Sequence, residues 1–268
     1  MEKPQLEKLC YSTRQLVAEV ASFIKKEVGK VDLGAIETKS KNSLVSYVDK
    51  TAEQRLVSGL QSRLDGAAFL TEEETIVASE GTYQWIIDPL DGTTNFLHQL
   101  PIFSISVALR FENQIIMGIV YEVNKEECFY AYQGGGAWLN DEKIAVSPNL
   151  VFEDTLIATG FPYYDFQHMD AYFGVLRNFV ERTRGIRRLG SAAVDLAYVA
   201  CGRFDGYFEY SLNAWDVAAG IILVKEAGGK VSDFYGGTDY LFGKNILVGS
   251  APTHKEMLKT ISQHFVKA

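Results

Sequence analysis

The sequence has few cysteines and no long apolar run. Cys10, Cys128 and Cys201 lie far apart, without a CxxC pair or a histidine cluster. This odd, scattered set argues against a disulfide framework or a zinc site and favours a reducing compartment. No apolar run approaches the roughly 20 residues that a membrane-spanning helix needs, and charges interrupt the N-terminal segment MEKPQLEKLCYSTRQ, where a signal peptide would be apolar. We therefore expect no membrane association and a cytoplasmic location.

The chain also lacks an excess of positive charge, glycine or proline. It has 268 residues, with 26 Lys and Arg against 34 Asp and Glu, for a formal net charge of −8. Net negative charge argues against a general binder of nucleic acid or of an anionic membrane, because both are themselves negative. A chain of this length buries roughly three quarters of its unfolded surface. The composition therefore indicates a globular protein with a large core.

The most informative segment is WIIDPLDGTTNF, residues 85–96. Its first three residues read as the end of a buried strand, and Asp88 and Asp91 follow directly. A proline fixes the backbone between the two acids and Gly92 permits close approach, so both carboxylates are expected to converge at the strand's end. Thr93 and Thr94 are predicted to cap a short helix whose N-terminus faces the same point.

This combination predicts a metal-assisted phosphate site, because carboxylates hold cations and a helix N-terminus holds phosphate. An ordinary Asp-rich turn that caps a helix would give the same isolated DxxDG pattern. The rest of the chain has to decide between the two interpretations.

Other acids also lie at the ends of predicted elements. Asp49 lies where a second helix is predicted to begin, and Asp216 lies in the first turn of a helix in WDVAAGIILVKEAGG. The segment from Glu72 to Glu74 follows the short apolar strand AAFL. Each has an ordinary interpretation, because helix N-termini favour carboxylates and adjacent acids usually form a solvated loop. Yet Glu72 repeats the pattern at Asp88, a strand that ends in carboxylates.

The remaining segments predict a mixture of helices and strands. Apolar residues at helical spacing predict an amphipathic helix over residues 4–28. SISVALRF, QIIMGIVYEV and ECFYAYQ, between 101 and 132, predict antiparallel strands. Further on we expect a strand at LIATG, a helix around 172–182 followed by a basic patch, and a small-residue helix followed by a strand in GSAAVDLAYVACGRFDGYFE. The loop 189–192 suits a polyhydroxyl ligand, although close helix packing explains its small residues equally well.

Four segments, in order, resemble the inositol monophosphatase family of metal-dependent, lithium-sensitive phosphatases. They are LVSYVDKTAE, FLTEEE, WIIDPLDGTTNF and AWDVAAGIILVKEAGG, and the resemblance spans nearly the whole chain. It implies an α+β fold, a five-layered αβαβα sandwich of the inositol monophosphatase and fructose bisphosphatase type. It also implies a homodimer and one domain over residues 1–268, whose α+β half (about 1–145) and α/β half (about 146–268) are not independent.

For the phosphate chemistry, the resemblance implies Mg²⁺ as the cofactor. Oxygen donors of this kind suit Mg²⁺ and leave positions for water and a phosphate. The implied ligands are the carboxylates of Glu72, Asp88, Asp91 and Asp216 and the backbone carbonyl of Leu90. Two carboxylates about 4 Å apart repel by roughly 4 kcal/mol at an effective dielectric near 20, so such a cluster needs cations. We therefore expect activity to depend absolutely on Mg²⁺.

The resemblance also implies roles in the hydrolysis itself. Thr93, backed by Asp49, would orient or deprotonate the water that attacks phosphorus, and Glu72 is included among the catalytic residues. The backbone amides of Gly92 and Thr93 would hold the phosphate oxygens. Glu73 would support the metal ligands without itself touching the metal.

For the substrate, the resemblance implies a small phosphorylated polyol. The implied contacts are Asp91, Gly92, Thr93, Ser191, Ala192, Glu209 and Asp216. Glu209 would accept hydrogen bonds from the ring, or it only ends a strand. Relatives that act on 3′-phosphoadenosine 5′-phosphate tend to have Lys-Glu or Lys-Gly after DGT, where this chain has Thr94 and Asn95. This favours inositol 1-phosphate, with 3′-phosphoadenosine 5′-phosphate, fructose 1,6-bisphosphate and histidinol phosphate as alternatives.

The chain departs from the family pattern at three positions. Thr71 replaces a frequent glycine, Ser46 a frequent threonine and Ser43 a frequent aspartate. None of these changes removes an implied metal ligand. A function of another class stays open, in which the protein is a regulatory binding partner with a vestigial phosphatase site. The full set of acids argues against loss of activity.

Overall fold

The computed structural model describes residues 1–32, 37–40, 43–162 and 165–265, with the backbone alone at 37–40, 43 and 44. The side chain of Ser43, one of the departures noted above, lies outside this description. Within these ranges the helices are α1 (Lys3–Glu27), α2 (Tyr47–Gln61), α3 (Thr93–Leu97), α4 (Met169–Arg182), α5 (Ala192–Ala200), α6 (Ala214–Glu226) and α7 (Ala251–His264). None of these helices is long and apolar enough to cross a membrane.

The strands of the described ranges form two large sheets and one small hairpin. The hairpin strands are β1 (Glu37–Ser40) and β2 (Ser43–Val45). The first large sheet contains β3 (Ala68–Thr71), β4 (Tyr83–Asp91), β5 (Ser104–Phe111), β6 (Gln114–Glu122), β7 (Glu127–Tyr132), β8 (Gly136–Leu139) and β9 (Glu142–Ile144). The second contains β10 (Leu156–Thr159), β11 (Gly185–Arg187), β12 (Gly206–Tyr210), β13 (Lys230–Ser232) and β14 (Asn245–Gly249).

The two large sheets differ in topology. In the first sheet the strands follow one another from β3 to β9, and every pair is antiparallel except β3 with β4. The second has the order β11-β10-β12-β14-β13, with β10 parallel to both neighbours. The three antiparallel strands expected between 101 and 132 are β5, β6 and β7.

Five layers result from the way the helices cover these sheets. Helices α1 and α2 pack on one face of the first sheet, α5 and α6 lie between the sheets, and α4 and α7 cover the outer face of the second. The expected αβαβα sandwich is confirmed.

The core explains why the strand before the DPLDG turn is apolar without alternation. Trp85 and Ile87 face the layer of α1 and α2, whereas Ile86 faces the layer of α5 and α6. A strand that is buried on both faces needs apolar residues at every position. Small residues also permit close packing between the first sheet and α6. A Cβ on Gly118 of β6 would lie 2.6 Å from the carbonyl oxygen of Ala219 in α6.

The predicted cap of α3 is wrong. The helix begins at Thr93, its N-cap is Gly92, and no side chain caps it. Gly92 has a φ of 97°, which glycine adopts readily. Thr93 lies inside the first turn, so its hydroxyl is available for another contact.

Candidate active site

Two neighbouring parallel strands deliver their acids to the same edge of the first sheet. Thr71 of β3 pairs with Ile87 of β4, so Glu72 and Asp88 follow side by side. The amide of Glu72 donates to the carbonyl of Ile87 over 3.2 Å and holds this register. The repeated pattern of a strand that ends in carboxylates therefore places both acids together. The hydroxyl of Thr71 is buried and has no hydrogen-bond partner among the described residues.

An irregularity in β4 brings Asp91 to the same side as Asp88. Asp88 pairs with Ser106 of β5 and Asp91 with Ser104, so one extra residue lies in β4 between the two pairs. In a regular strand residues three apart point to opposite faces, and the extra residue corrects this. The amide of Leu90 donates to Oδ1 of Asp88 over 2.9 Å and fixes the turn.

These acids open onto one pocket that is formed by both halves of the chain. Its lining includes every implied metal ligand and substrate contact: Glu72, Asp88, Leu90, Asp91, Gly92, Thr93, Ser191, Ala192, Glu209 and Asp216. The lining is completed by Thr94, Asn95, Gly160, Arg188, Gly190, Asp195, Ser211, Leu212 and Asn213. Asp49 and Glu73 lie outside the lining.

The charges of four acids meet at Asp88. Its side chain is 2% exposed, and burial first, then the charges of Glu72, Asp91 and Asp216, raise its pKa well above the ordinary value. Deprotonation of all four carboxylates therefore requires compensating positive charge.

Asp91 is held by the N-terminus of α5. Its Oδ2 accepts hydrogen bonds from the Ser191 hydroxyl over 2.6 Å and from the Ala193 amide over 2.8 Å. Burial raises the pKa of Asp91 to about 6, while these bonds and the charge of Arg188 act in the opposite direction. An acid from the first sheet is thus tied to a helix of the middle layer, which joins the two sides of the pocket.

Asp49 reaches the pocket through Thr93. The Thr93 hydroxyl lies 2.9 Å from Oδ1 of Asp49, and Oδ2 accepts from the amide and the hydroxyl of Ser46 over 2.8 and 2.7 Å. Burial raises the pKa of Asp49, and the bonds from Ser46 and Thr93 lower it. Asp49 therefore completes the capping box of α2 with Ser46 and is also a partner of a pocket residue. A threonine at 46 could make the same bonds, so this departure keeps the contact.

A second buried acid of α2 fixes the loop that contains Glu72. Glu53 is completely buried and accepts from the amides of Glu73 and Thr75, each over 2.8 Å, and from the Thr75 hydroxyl over 2.7 Å. The loop after β3 is thus anchored by its backbone, and Glu74 is exposed. Sequence reasoning missed Glu53, although its spacing of four from Asp49 puts both on one face of α2.

Asp216 and Glu209 approach the pocket from the C-terminal half. Oδ2 of Asp216 accepts from the amide of Asn213, the N-cap of α6, over 2.6 Å and so completes a capping box. The Tyr207 hydroxyl donates to Oε2 of Glu209 over 2.5 Å. A Cβ on Gly160 would lie 1.9 Å from that oxygen, so only glycine leaves room for the carboxylate. Burial raises the pKa of Glu209 to about 8.

The pocket lining also includes Arg188, Asp195 and Asn95, which are not among the predicted metal ligands or substrate contacts. Arg188 belongs to the basic patch, and its charge lowers the pKa of Asp91, Asp195 and Glu209 against the effect of burial. Asp195 is buried in the small-residue helix α5. In the sequence, the only indication of a role is that an acid stands among apolar residues. Asn95 turns its amide group away to the carbonyls of Ile102 and Leu189, at 2.7 and 2.8 Å.

The donor set fits a hard divalent cation. It consists of carboxylate and carbonyl oxygens, and the mutual repulsion around Asp88 calls for positive charge. In the conformation described for these residues, no three Asp, Glu, His or Cys side chains lie close enough to ligate a single ion.

Comparisons with known proteins agree with this geometry. Residues 5–267 match the inositol monophosphatase family. The chain is 39% identical to the inositol-1-monophosphatase of Mesorhizobium japonicum over 93% of this chain and 94% of the relative. It is also 39% identical to the Nus factor SuhB of Pseudomonas aeruginosa, over 90% and 91%. The crystal structure of the extragenic suppressor protein suhB of Bartonella henselae superposes with a TM-score of 0.89, at 38% identity, over 94% and 97% of the two chains.

These similarities cover the whole sandwich and both sides of the pocket, which together define a phosphatase. The chain belongs to the inositol monophosphatase family. The resemblance of the four sequence segments is thereby confirmed.

Proposed function

We propose that this phosphatase hydrolyses inositol 1-phosphate to myo-inositol and phosphate, with Mg²⁺ as its cofactor. The observation that carries the proposal is the single pocket in which an acidic cluster adjoins a tight glycine turn on one side and Glu209 and Ser191 on the other. The acids suit a cation and the turn suits a phosphate. The opposite side offers hydrogen-bonding groups to an alcohol.

The cation would be held by the carboxylates of Glu72, Asp88, Asp91 and Asp216 and by the carbonyl of Leu90. When bound, Mg²⁺ would stabilise the negative charge that develops on the phosphate and on the leaving oxygen. Glu73 would support this set through the loop that Glu53 anchors.

The phosphate would lie against the backbone at Gly92 and Thr93. A Cβ on Gly92 would lie 3.2 Å from the carbonyl oxygens of Gly190 and Ile102, so a side chain would be crowded there as well as strained. The bare backbone lets a phosphate oxygen approach the amides closely.

Thr93 and Asp49 would activate the attacking water. The Thr93 hydroxyl has two acceptors, Oδ1 of Asp49 at 2.9 Å and the carbonyl of Leu90 at 3.0 Å, but only one hydrogen to donate. With that hydrogen directed to Asp49, the Thr93 oxygen can accept a hydrogen bond from water. A proton that leaves the water would pass to Thr93 as Thr93 releases its own to Asp49. The raised pKa of Asp49 favours this transfer.

The alcohol would be bound by Glu209, Ser191 and Ala192. Thr94 and Asn95 support the inositol ester, because they stand where relatives that act on 3′-phosphoadenosine 5′-phosphate tend to have Lys-Glu or Lys-Gly. The Asn95 amide group donates to the carbonyls of Ile102 and Leu189. A homodimer, a cytoplasmic location and lithium sensitivity stay predictions.

Phosphate release from a panel of esters tests the proposal. The panel contains inositol 1-phosphate, fructose 1,6-bisphosphate, 3′-phosphoadenosine 5′-phosphate and histidinol phosphate, each with Mg²⁺ and with chelator. We expect Mg²⁺-dependent turnover with the highest kcat/KM for inositol 1-phosphate. A higher value for another ester would overturn the substrate assignment and keep the metal mechanism.

A regulatory binding role is the second candidate, and the relatives named Nus factor SuhB favour it. An active phosphatase site and a binding surface can coexist on one chain. Substitution D88N separates the two, because it disables the acid cluster at one buried side chain. A biological effect that survives loss of turnover in this variant would support the binding role.

A further inference from the structure

Asp195 is a pocket residue with an unsatisfied oxygen. It lies in the first turn of α5, is 1% exposed, and lines the same pocket as Glu209 and Ser191. No donor among the described residues reaches its Oδ1. Buried polar atoms in proteins are almost always hydrogen-bonded, so an exception at a pocket wall indicates a place for a ligand's donor.

The other acid on this side of the pocket is already partly satisfied. Oε2 of Glu209 accepts from Tyr207, and the backbone of Gly160 lies directly against the carboxylate. Asp195 and Glu209 are close enough that the charge of Glu209 raises the pKa of Asp195, after the larger effect of burial. Arg188 opposes both effects and supplies partial charge compensation. The two acids therefore belong to one recognition surface.

A neutral hydroxyl fits this surface better than an anion does. A hydroxyl both donates and accepts, so it can bond Asp195 whether the carboxyl group is charged or protonated. A second phosphate on the substrate would instead be repelled by Asp195 and Glu209 and attracted by Arg188 alone among the pocket residues described. This distinguishes an uncharged polyol from a bisphosphate.

We propose that Asp195 is a specificity-determining residue that hydrogen-bonds a hydroxyl on the polyol part of the substrate, beside Glu209. The proposal rests on the proposed function, because it needs a polyol ester as substrate. It adds a residue outside the acid cluster and outside the predicted set of substrate contacts.

The test compares two esters in D195A and D195N. Inositol 1-phosphate offers hydroxyls to Asp195, whereas p-nitrophenyl phosphate has none on its leaving group. We expect D195A to lower the ratio of kcat/KM for the inositol ester to that for the nitrophenyl ester by about 10- to 100-fold, mainly through KM. D195N keeps the shape and a hydrogen-bonding group, so we expect a fall of about threefold to tenfold. This variant decides the matter if D195A does not fold.

Asp205 provides the matched control. It is also a buried aspartate, but it lies off the pocket and is bonded by the Ser147 hydroxyl over 2.6 Å and the Leu156 amide over 2.7 Å. D205N should lower the thermal midpoint and leave the ratio of the two esters unchanged. The D205N control therefore separates the effect of losing a buried carboxylate from the effect of losing a substrate contact.

The outcomes identify which proposal fails. Equal changes for both esters, or no change in D195A and D195N, would overturn the role of Asp195 and leave the proposed function standing. If the parent protein hydrolyses p-nitrophenyl phosphate but no polyol phosphate, the proposed function fails, and the role of Asp195 fails with it. That second failure is visible in the parent protein alone.

Discussion

The hydroxyl of Thr93 lies 2.9 Å from Oδ1 of Asp49, although the two residues are 44 positions apart in the chain. The contact connects the first turn of α2 with the first turn of α3. Asp49 is buried and does not line the pocket, but the hydroxyl oxygen of Thr93 connects it to the pocket. In the proposed mechanism this contact separates the base, Asp49, from the acids that would bind the metal.

We expect T93V to lower kcat by about 100-fold or more. Valine keeps the shape of threonine but removes the oxygen that would hold the water, and general-base catalysis typically contributes a factor of this size. T93S keeps the hydroxyl and is the matched control, with a loss of less than about tenfold. Steady-state kinetics at saturating Mg²⁺ measures both. A T93V variant with the kcat of the parent would contradict the proposed proton transfer from water through Thr93 to Asp49.

We expect E53Q to weaken both folding and Mg²⁺ binding. Glutamine has a single acceptor oxygen, so its side chain cannot accept from the amides of both Glu73 and Thr75. Each buried donor left unsatisfied costs roughly 1–3 kcal/mol. The loop that contains Glu72 would loosen as well. Urea unfolding measures the free energy of unfolding, and calorimetry measures Mg²⁺ affinity.

The exposed neighbour Glu74 is the control for this prediction, because E74Q changes an acid of the same loop without touching the anchor. Full Mg²⁺ affinity in a destabilised E53Q would show that Glu53 supports the fold alone.

We expect Y207F to shift the pH profile of KM for inositol 1-phosphate to higher pH. Burial raises the pKa of Glu209 to about 8, and the bond from Tyr207 lowers it. Without that bond the pKa rises further, so the Glu209 carboxylate, which would accept the substrate hydroxyls in the proposed function, forms only at higher pH. KM measured between pH 6 and 9 tests this. Superimposable profiles for parent and Y207F would mean that Tyr207 does not control Glu209.

The sequence predicted the elements around the site well, because their signals are local. The apolar run before Asp88 and the helix that begins near Asp216 both follow from neighbouring residues. The cap of α3 was mispredicted, because Gly92, with its positive φ, is the N-cap and Thr93 is already in the helix. The Thr93 hydroxyl contacts Asp49 instead of capping the helix.

The contacts that complete the pocket could not be predicted, because they cross between distant segments. Asn95 bonds a carbonyl 94 positions away, and Asp91 is held by a helix that begins about a hundred residues later. Arg188 was visible as part of a basic patch, but its role depends on three acids from other elements. Such convergence depends on the stacking of the five layers.

The most direct test of the central claim is phosphate release from inositol 1-phosphate after exhaustive chelation, followed by addition of Mg²⁺. The account predicts no turnover after chelation, full recovery with Mg²⁺, and no recovery in D88N, because one buried acid at the centre of the cluster is lost. Full turnover of the chelated parent, or Mg²⁺-dependent recovery in D88N equal to that of the parent, would contradict the claim that these acids form a metal-dependent phosphatase site.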